Sequence, residues 1–238
     1  MENSILGVKI SGDNKEGVLR KVRDYIARSR KFSLFSINPE IVLAAGGDQR
    51  FKNILNRGDI NIADGIGLKL ALPHLTIIKG RVIFAELCRL ANQLGWKIFL
   101  LGGPETANAG KALQINFKKL KIESCQGPKL NIKGEPVLEV DIKAELDIVD
   151  KINKFGPQIL FVGFGAPKQE LWIKKWLPKL NVVGAVAVGG TFDYLTGKLQ
   201  LPPKYIPEFL WRLSKEPRRF GRIFNAVVVF PLKVLLSH

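Results

Sequence analysis

Asp64 is the first residue whose type and position could do chemistry. It directly follows the apolar run of residues 60–63 and precedes Gly65 and Gly67. A carboxylate at the end of a buried strand can act as a general base in a cleft, and glycines let a substrate approach the backbone. The same position also suits the N-cap of a following helix. The spacing alone leaves both interpretations open.

A glycine-rich turn lies in the segment 163–170, which reads Gly-Phe-Gly-Ala-Pro-Lys-Gln-Glu. Free N–H groups at a helix start, together with Lys168, would attract a phosphate. The segment is not a dinucleotide fingerprint, because Lys168 occupies the third glycine position and no acidic residue lies about 20 residues further on. We therefore do not expect NAD. An ordinary βα turn with a solvated first helical turn is the alternative.

Comparable turns occur at residues 188–194 and 100–105, each after an apolar run. Glycine serves ordinary turns in αβ proteins, so one such segment means little. Three in one chain favour a nucleotide or sugar-phosphate site, because ligands bind at the carboxyl ends of parallel strands. The candidate binding residues in these turns are Gly103, Gly189, Gly190, Thr191 and Asp193.

The sequence does not predict a metal site or a histidine-based catalytic triad. It contains no Asp-x-Asp pair, which many nucleotide-sugar enzymes use to hold a divalent cation on a diphosphate, and its histidines are His74 and His238. Cys88 and Cys125 are too far apart for a CxxC motif, so free thiols are expected. A bound diphosphate would then be neutralised by positive side chains and helix N-termini.

Arginines near the C-terminus are the remaining candidates. Arg212, Arg219 and Arg222 have the spacing of one helix face, although Pro217 interrupts the pattern. They could clamp phosphates, or they could form a solvated or lipid-facing basic stripe.

The charge of the chain is concentrated in the same region. The 238 residues carry a formal charge of +16 with 46% hydrophobic residues, a globular composition. Residues 198–238 contain eight basic and two acidic residues, a net +6 in 41 positions, and they are also apolar. A basic and apolar segment favours an anionic membrane surface. Nucleic acid competes for the same charge, but no RNA-recognition platform or helix-turn-helix pattern is present, so we expect no nucleic-acid partner.

The elements that must position these residues follow a βα alternation. Strands are predicted at residues 5–10, 32–37, 60–63, 97–101, 121–124, 159–164 and 182–188, and helices at 15–30, 39–45, 82–94, 105–120, 140–155, 168–177, 208–216 and 220–229. Several strands are apolar throughout, as in parallel sheets buried on both faces. The predicted fold is α/β: a doubly wound, mostly parallel sheet with helices on both faces and a C-terminal helical appendage.

The tandem prolines at 202 and 203 mark the expected boundary between an α/β domain, residues 1–197, and the appendage, residues 198–238. No signal peptide is expected, since the first residues lack a charged region followed by an apolar one. The longest apolar stretch, residues 223–236, is shorter than the roughly 20 residues that a spanning helix needs.

Together these segments resemble the bacterial WecG/TagA/CpsF family of glycosyltransferases over essentially the whole chain. The order and spacing of the segments are specific, although each is weak alone. The chain differs from the family pattern by Ser36 in place of threonine, and by Phe84 and Glu86 in place of glycine and aspartate. The segments that carry the resemblance are 36–40 (SINPE), 63–67 (ADGIG), 99–103 (FLLGG), 162–170 (VGFGAPKQE), 188–193 (VGGTFD), 211–213 (WRL) and 216–222 (EPRRFGR).

The resemblance implies an inverting, metal-independent transferase without a cofactor. Its most similar branch transfers N-acetylmannosamine from a UDP-sugar donor to the 4-hydroxyl of lipid-linked GlcNAc, on undecaprenyl diphosphate, in wall teichoic acid linkage-unit synthesis. Asp64 would be the catalytic base. The substrate-binding residues would be Ser36, Asn38, Arg81, Gly103, Gly163, Gly165, Lys168, Gln169, Gly189, Gly190, Thr191, Asp193, Arg212, Arg219 and Arg222.

A lipid-linked acceptor predicts a cytoplasmic protein held peripherally on the inner face of the cell membrane by residues 198–238. The apolar face of this segment could instead form a homo-oligomer. The alternatives are a related transferase that uses another UDP-sugar, and a non-enzymatic nucleotide- or nucleic-acid-binding protein.

Overall fold

A computed structural model of the chain describes residues 3–203, 205, 208–215 and 220–236. The strands in this part of the chain are β1 (Ser4–Ile5), β2 (Val8–Lys9), β3 (Phe32–Ile37), β4 (Ile60–Ala63), β5 (Lys97–Gly102), β6 (Lys121–Gln126), β7 (Ile159–Gly163) and β8 (Gly184–Ala187). Strands β3 to β8 form one sheet in the order β4-β3-β8-β7-β5-β6, and every neighbouring pair is parallel. The predicted parallel α/β sheet is confirmed.

Helices cover both faces of this sheet. They are α1 (Lys15–Ala27), α2 (Pro39–Gly47), α3 (Gln49–Asn56), α4 (Gly80–Leu94), α5 (Thr106–Asn116), α6 (Glu139–Phe155), α7 (Lys168–Trp176), α8 (Thr191–Leu195), α9 (Glu208–Lys215), α10 (Phe220–Phe224) and α11 (Phe230–Leu235), with a π-helical stretch at Asn225–Val229 and 3₁₀ turns at Ile66–Leu70 and Leu177–Lys179.

Each face of the sheet has its own hydrophobic cluster. Helices α2, α3, α6, α7 and α11 contribute to the first cluster, and α1, α4, α5 and α8 contribute to the second. In β3, Phe35 and Ile37 belong to the first cluster and Phe32 and Leu34 to the second. Alternate side chains of a strand point to opposite faces, so a strand covered on both sides must be apolar throughout. This explains the apolar runs in the sequence.

Several local predictions differ from the structure: helix α8 was not predicted, and the helix predicted at 220–229 continues through α11 to residue 235. Residues 5–10 were expected to form one strand, but they fold into the antiparallel β1–β2 hairpin, whose turn places Leu6 and Gly7 at positive φ. Helix α3 was not predicted. Asp48 ends α2 and begins α3, where its side chain accepts a hydrogen bond from the N–H of Phe51. An aspartate in the N-cap position begins a new helix directly after Gly46 and Gly47, the last residues of α2.

The helices after adjacent strands β3 and β8 lie on opposite faces of the sheet. Helix α2, which follows β3, packs in the first cluster, and Phe192 of α8, which follows β8, packs in the second. Helices that diverge in this way leave a crevice at the carboxyl ends of the strands, where α/β proteins bind ligands.

The C-terminal helical segment, residues 220–235, presents three faces. Ile223, Phe230 and Val234 are buried, and the latter two join the first cluster. A second face borders the crevice just described. The third face consists of the exposed apolar residues Phe224, Val228, Leu232 and Leu235. Among the described residues, no helix combines the length and the apolar character needed to cross a bilayer.

Candidate active site

The crevice opens into a cavity of about 650 Å³ bordered by the loops after β3, β4, β7 and β8. Ligand pockets typically have volumes of about 300–1,000 Å³. The structure brings together most of the site residues predicted from sequence. Those that line the cavity are Ser36, Asn38, Asp64, Arg81, Gly165, Gln169, Gly189, Gly190, Thr191, Asp193 and Arg222.

The carboxylate of Asp64 is anchored at the start of a distant helix. Its Oδ2 accepts a hydrogen bond of 2.9 Å from the N–H of Gly80, the first residue of α4. The 3₁₀ turn that follows Asp64 in sequence has no side-chain cap. Asp64 therefore does not serve as the N-cap of that turn. The positive end of a helix dipole favours a charged carboxylate there. Asp64 is therefore fixed at the cavity wall beside a helix N-terminus.

Gly80 lies in close contact with Ser36 and Asp64. A Cβ added at Gly80 would lie 2.5 Å from Ser36 Oγ and 3.3 Å from Asp64 Oδ2. Real Cβ atoms essentially never show the first separation, so a side chain at position 80 would force the hydroxyl of Ser36 to move. The hydroxyl of Ser36 and the carboxylate of Asp64 consequently share one corner of the cavity.

Asn38 begins α2 at the cavity edge. Its Oδ1 accepts a hydrogen bond of 2.9 Å from the N–H of Ile41, which leaves the amide nitrogen as the group that can donate to a ligand. The nearby glycines have a packing role: Cβ atoms at Gly65 and Gly67 would lie 3.4 Å and 3.1 Å from the ring of Pro39. The positive φ of Gly65 and the tight packing of Gly67 against α2 account for these glycines without a ligand.

Positive side chains slightly outnumber acidic ones in the cavity lining. They are Lys79, Arg81, Arg222 and Lys233, against the acidic residues Glu40, Asp64 and Asp193. Asp193 is paired with Lys198 at 3.6 Å, and the guanidinium of Arg81 lies 5.7 Å from the centre of the Tyr194 ring. This balance of charge suits an anionic ligand.

The residues of this site that were not predicted from the sequence include Lys79, Gly80, Tyr194 and Lys233. Lys233 follows Arg222 by eleven residues, three helical turns, so a continuous helix from 220 to 235 would have indicated that both face the same way. Lys79 and Gly80 had no comparable signal, because the irregular chain from residue 71 to residue 79 carries them to Asp64.

Gln169 joins two cavity loops. Its Oε1 accepts hydrogen bonds from the N–H of Gly165 at 3.2 Å and of Gly189 at 3.0 Å. Both glycines have positive φ, and a Cβ added at either would meet nothing within 4 Å. Their bare backbone thus faces open cavity space. Behind them Glu170 is fully buried, and burial raises the pKa of its carboxyl to about 7.

Thr191 and Thr106 repeat one turn design after β8 and β5. The Thr191 hydroxyl donates to the carbonyl of Val188 at 2.6 Å, and that of Thr106 donates to the carbonyl of Gly103 at 2.6 Å. Each hydroxyl fixes the turn that precedes its helix, so Thr191 retains only its acceptor lone pairs for a ligand.

Three predicted residues lie outside the cavity lining. Gly103 follows β5, which is separated from β8 by β7. At Gly163 a Cβ would lie 2.8 Å from the ring of Phe192, so this glycine makes room for an aromatic side chain. The Lys168 ammonium donates to the carbonyl of Leu130 at 3.1 Å and ties down the loop before α6.

Two predicted arginines cannot be placed. Arg219 lies outside the described residues, as does the side chain of Arg212. Arg222, from the same expected stripe, lines the cavity.

Two of the three departures from the family pattern fall away from the cavity, whereas Ser36 lines it. Phe84 is buried against Phe161, with ring centres 4.6 Å apart. Glu86 lies on the other side of α4, where ion pairs with Arg89 and Lys15 lower the pKa of its carboxyl. Neither side chain borders the cavity.

No group of three or more histidine, cysteine, aspartate or glutamate side chains converges as a metal site within the described residues. Cys88 is buried, and burial raises the pKa of its thiol far above the usual range. Neither Cys88 nor Cys125 forms a disulfide bond.

An open α/β sheet with a cavity at the carboxyl ends of its central strands defines a ligand-binding α/β protein. The profile of the Glycosyl transferase WecG/TagA/CpsF family matches residues 3–238, so the chain belongs to this family. It is a glycosyltransferase, as the resemblance implied. A non-enzymatic binding protein is thereby excluded.

Relatives from Staphylococcus aureus strains MW2, NCTC 8325 / PS 47 and MRSA252 are each 27% identical to this chain over 243 residues. Each match covers 97% of this chain and 91% of the relative. All three are named N-acetylglucosaminyldiphosphoundecaprenol N-acetyl-beta-D-mannosaminyltransferase.

Proposed function

We propose that this glycosyltransferase moves N-acetylmannosamine from UDP-N-acetylmannosamine to the 4-hydroxyl of N-acetylglucosamine on undecaprenyl diphosphate, a step of teichoic acid linkage-unit synthesis. The observation that carries the proposal is a carboxylate, Asp64, fixed beside a cavity whose lining includes lysine and arginine side chains from the start of α4 and from the C-terminal helical segment. The names of the staphylococcal relatives supply the sugar and the acceptor class.

Asp64 serves as the general base. It accepts the proton of the acceptor hydroxyl, whose oxygen attacks the anomeric carbon from the face opposite UDP. The bond from that carbon to the diphosphate oxygen breaks, UDP leaves with the electron pair, and the anomeric configuration inverts. A sugar hydroxyl is a weak nucleophile, and general-base assistance typically contributes about 10²–10⁴-fold in rate.

The cationic side chains stabilise the leaving group. Lys79 and Arg81 come from the start of α4, Arg222 and Lys233 come from the C-terminal helical segment, and all of them line the same cavity. Fixed positive charges act where negative charge develops on UDP. They can supply the neutralisation that a divalent cation provides in Asp-x-Asp enzymes, which supports a metal-independent reaction.

The donor occupies the glycine-lined side of the cavity. Bare backbone at Gly165 and Gly189 leaves room for the nucleotide, and Gly190, Thr191 and Asp193 border the same space. Ser36 and Asn38 lie nearer to Asp64, where they orient sugar hydroxyls for attack. Gly103, Gly163 and Lys168 contribute by shaping and fixing the loops around this space.

The C-terminal helical segment also docks the enzyme on the inner face of the membrane. Its exposed apolar face stands beside a face that contributes Arg222 and Lys233 to the cavity. Apolar burial in the lipid interface combined with attraction to anionic headgroups gives reversible peripheral binding. Such docking would bring the cavity to a lipid-linked acceptor.

Vesicle binding tests this docking. Replacing Leu232 and Leu235 together by aspartate should weaken binding to phosphatidylglycerol vesicles at least tenfold, since burying each leucine contributes about 1.5–3 kcal/mol. The matched control replaces the exposed Ile115 and Val140, which lie on other helices, by aspartate. Equal binding by the two double variants would overturn the docking proposal.

The transfer reaction is tested by UDP release from a panel of UDP-sugars with a short-chain lipid-linked N-acetylglucosamine acceptor, in buffer with and without EDTA. We expect turnover with UDP-N-acetylmannosamine that EDTA does not abolish, and a β-linked product. Preferred turnover with another UDP-sugar would reassign the donor. Loss of activity in EDTA would contradict metal independence.

A further inference from the structure

Glu170 is a buried acid that the reaction steps above do not use. It has no exposed surface, and its Oε1 accepts a hydrogen bond of 2.8 Å from Nε2 of Gln169. Its Oε2 has no hydrogen-bond partner among the described residues. Burying a carboxyl group with unused acceptor capacity is costly. The hydrogen bond from Gln169 offsets part of this cost.

The amide of Gln169 can take one orientation. Backbone N–H groups of Gly165 and Gly189 both point at Oε1, and an NH₂ group in that place would face two donors. The oxygen therefore faces the glycines, and Nε2 faces Glu170. The residue is itself only 4% exposed, so water cannot readily replace a lost partner.

Gly165 and Gly189 belong to different loops, after β7 and after β8. Both line the cavity, and both have the positive φ that glycine adopts without strain. A single side-chain oxygen thus bridges the two loops. Their relative position sets the width of the glycine-lined side of the cavity.

We propose that Glu170 is a positioning residue for the donor site: its carboxyl oxygen holds the Gln169 amide in the orientation that ties the two glycine loops together. Without an acceptor at position 170, Nε2 of Gln169 loses its partner, the amide turns, and the loops separate. The identity of the donor rests on the proposed function, but the coupling of the loops does not.

Amide hydrogen exchange tests the coupling without any ligand. In protein labelled with ¹⁵N-glycine, Glu170→Met removes the acceptor, and exchange at Gly165 and Gly189 should quicken about tenfold or more, as expected for lost hydrogen bonds. Glu170→Gln keeps an acceptor oxygen and should restore slow exchange at both. The amide of Gly95, which bonds to the carbonyl of Ala91, reports any global loosening.

Control variants separate this coupling from general destabilisation. Glu145 is another buried carboxylate, bonded to Trp176 and Lys175 at the far end of α7, and Glu145→Met should not accelerate Gly165 and Gly189 selectively. Gln169→Ala removes the bridging oxygen itself and must accelerate amide exchange at both glycines. It therefore tests the bridge even if Glu170→Met fails to fold. Unchanged exchange in Gln169→Ala, or equal acceleration by Glu170→Gln and Glu170→Met, would overturn the proposal.

UDP affinity provides the functional readout. Calorimetry should show UDP binding about tenfold weaker in Glu170→Met than in Glu170→Gln, and no additional loss when Glu170→Met is combined with Gln169→Ala. Additive losses would show that Glu170 acts independently of Gln169. Failure of the wild-type protein to bind UDP would count against the proposed donor, while the exchange measurement would still decide the role of Glu170.

Discussion

The carboxylate of Asp64 and the backbone N–H of Gly80 are joined by a 2.9 Å hydrogen bond, although sixteen residues separate them in sequence. This bond links the end of β4 to the start of α4 and fixes the proposed base at a helix N-terminus. The site thus depends on an irregular segment that carries no recognisable motif of its own.

Replacing Asp64 by asparagine should abolish most of the activity and preserve the fold. Asparagine retains an oxygen that can accept from Gly80 but cannot take a proton from the acceptor. We expect turnover to fall about 10²–10⁴-fold with little change in UDP affinity, measured by UDP release and calorimetry. A well-folded variant with full turnover would eliminate Asp64 as the base.

Gly80→Ala should damage the site by crowding. The new Cβ would collide with the hydroxyl of Ser36 and press on Asp64, so we expect a large fall in turnover and a loss of stability of about 1–3 kcal/mol. Gly46→Ala is the matched control, because a Cβ at Gly46 in α2 meets nothing within 4 Å. That change should leave turnover intact and stabilise the protein by about 0.4–1 kcal/mol. Similar behaviour of the two variants would refute the close packing.

Glu170 should make stability depend on pH. Burial raises the pKa of its carboxyl from an ordinary 4.5 to about 7, so between these values the native state holds a proton that the unfolded chain releases. The contribution is fully present below pH 4.5 and is lost as pH rises through 7. Relative to wild type, Glu170→Gln should gain up to about 3 kcal/mol of unfolding free energy between pH 4.5 and pH 8.5.

Urea unfolding of both proteins across this range measures the effect. Other ionisable groups are common to the two proteins and cancel in the difference. A difference in unfolding free energy that does not vary with pH would show that the Glu170 carboxyl titrates normally in the folded protein.

The C-terminal helical segment should prove part of the core. Phe230 has no exposed surface, whereas Phe224, six residues earlier, is 46% exposed. Phe230→Ala should cost about 3–5 kcal/mol of unfolding free energy, and Phe224→Ala less than about 1 kcal/mol. Equal costs in urea unfolding would mean that α11 does not pack on the sheet domain as described. Deleting residues 198–238 should abolish activity and vesicle binding, but that deletion would also expose this core.

The sequence allowed prediction of the sheet and of much of the cavity. Apolar runs such as residues 159–164 identify strands buried on both faces, and the carboxyl ends of parallel strands must meet at one edge. The glycine-rich turns therefore indicated Gly165 and Gly189, and both line the cavity. Lys79 and Gly80 could not be predicted, because their position depends on how an irregular segment packs. Helix α3 was not predicted because the residue types at positions 46–48, two glycines and an aspartate, are typical of a loop.

Gly102 and Gly163, at the ends of neighbouring strands β5 and β7, both make room for one aromatic ring. A Cβ at either would lie within 3 Å of the Phe192 side chain. The three positions should accordingly vary together among related chains: a larger residue at 102 or 163 would require a smaller one at 192. Glycines that look like a nucleotide-binding signature can thus be explained by the packing of an aromatic side chain. Phe192→Leu should accordingly restore part of the stability that Gly163→Ala loses.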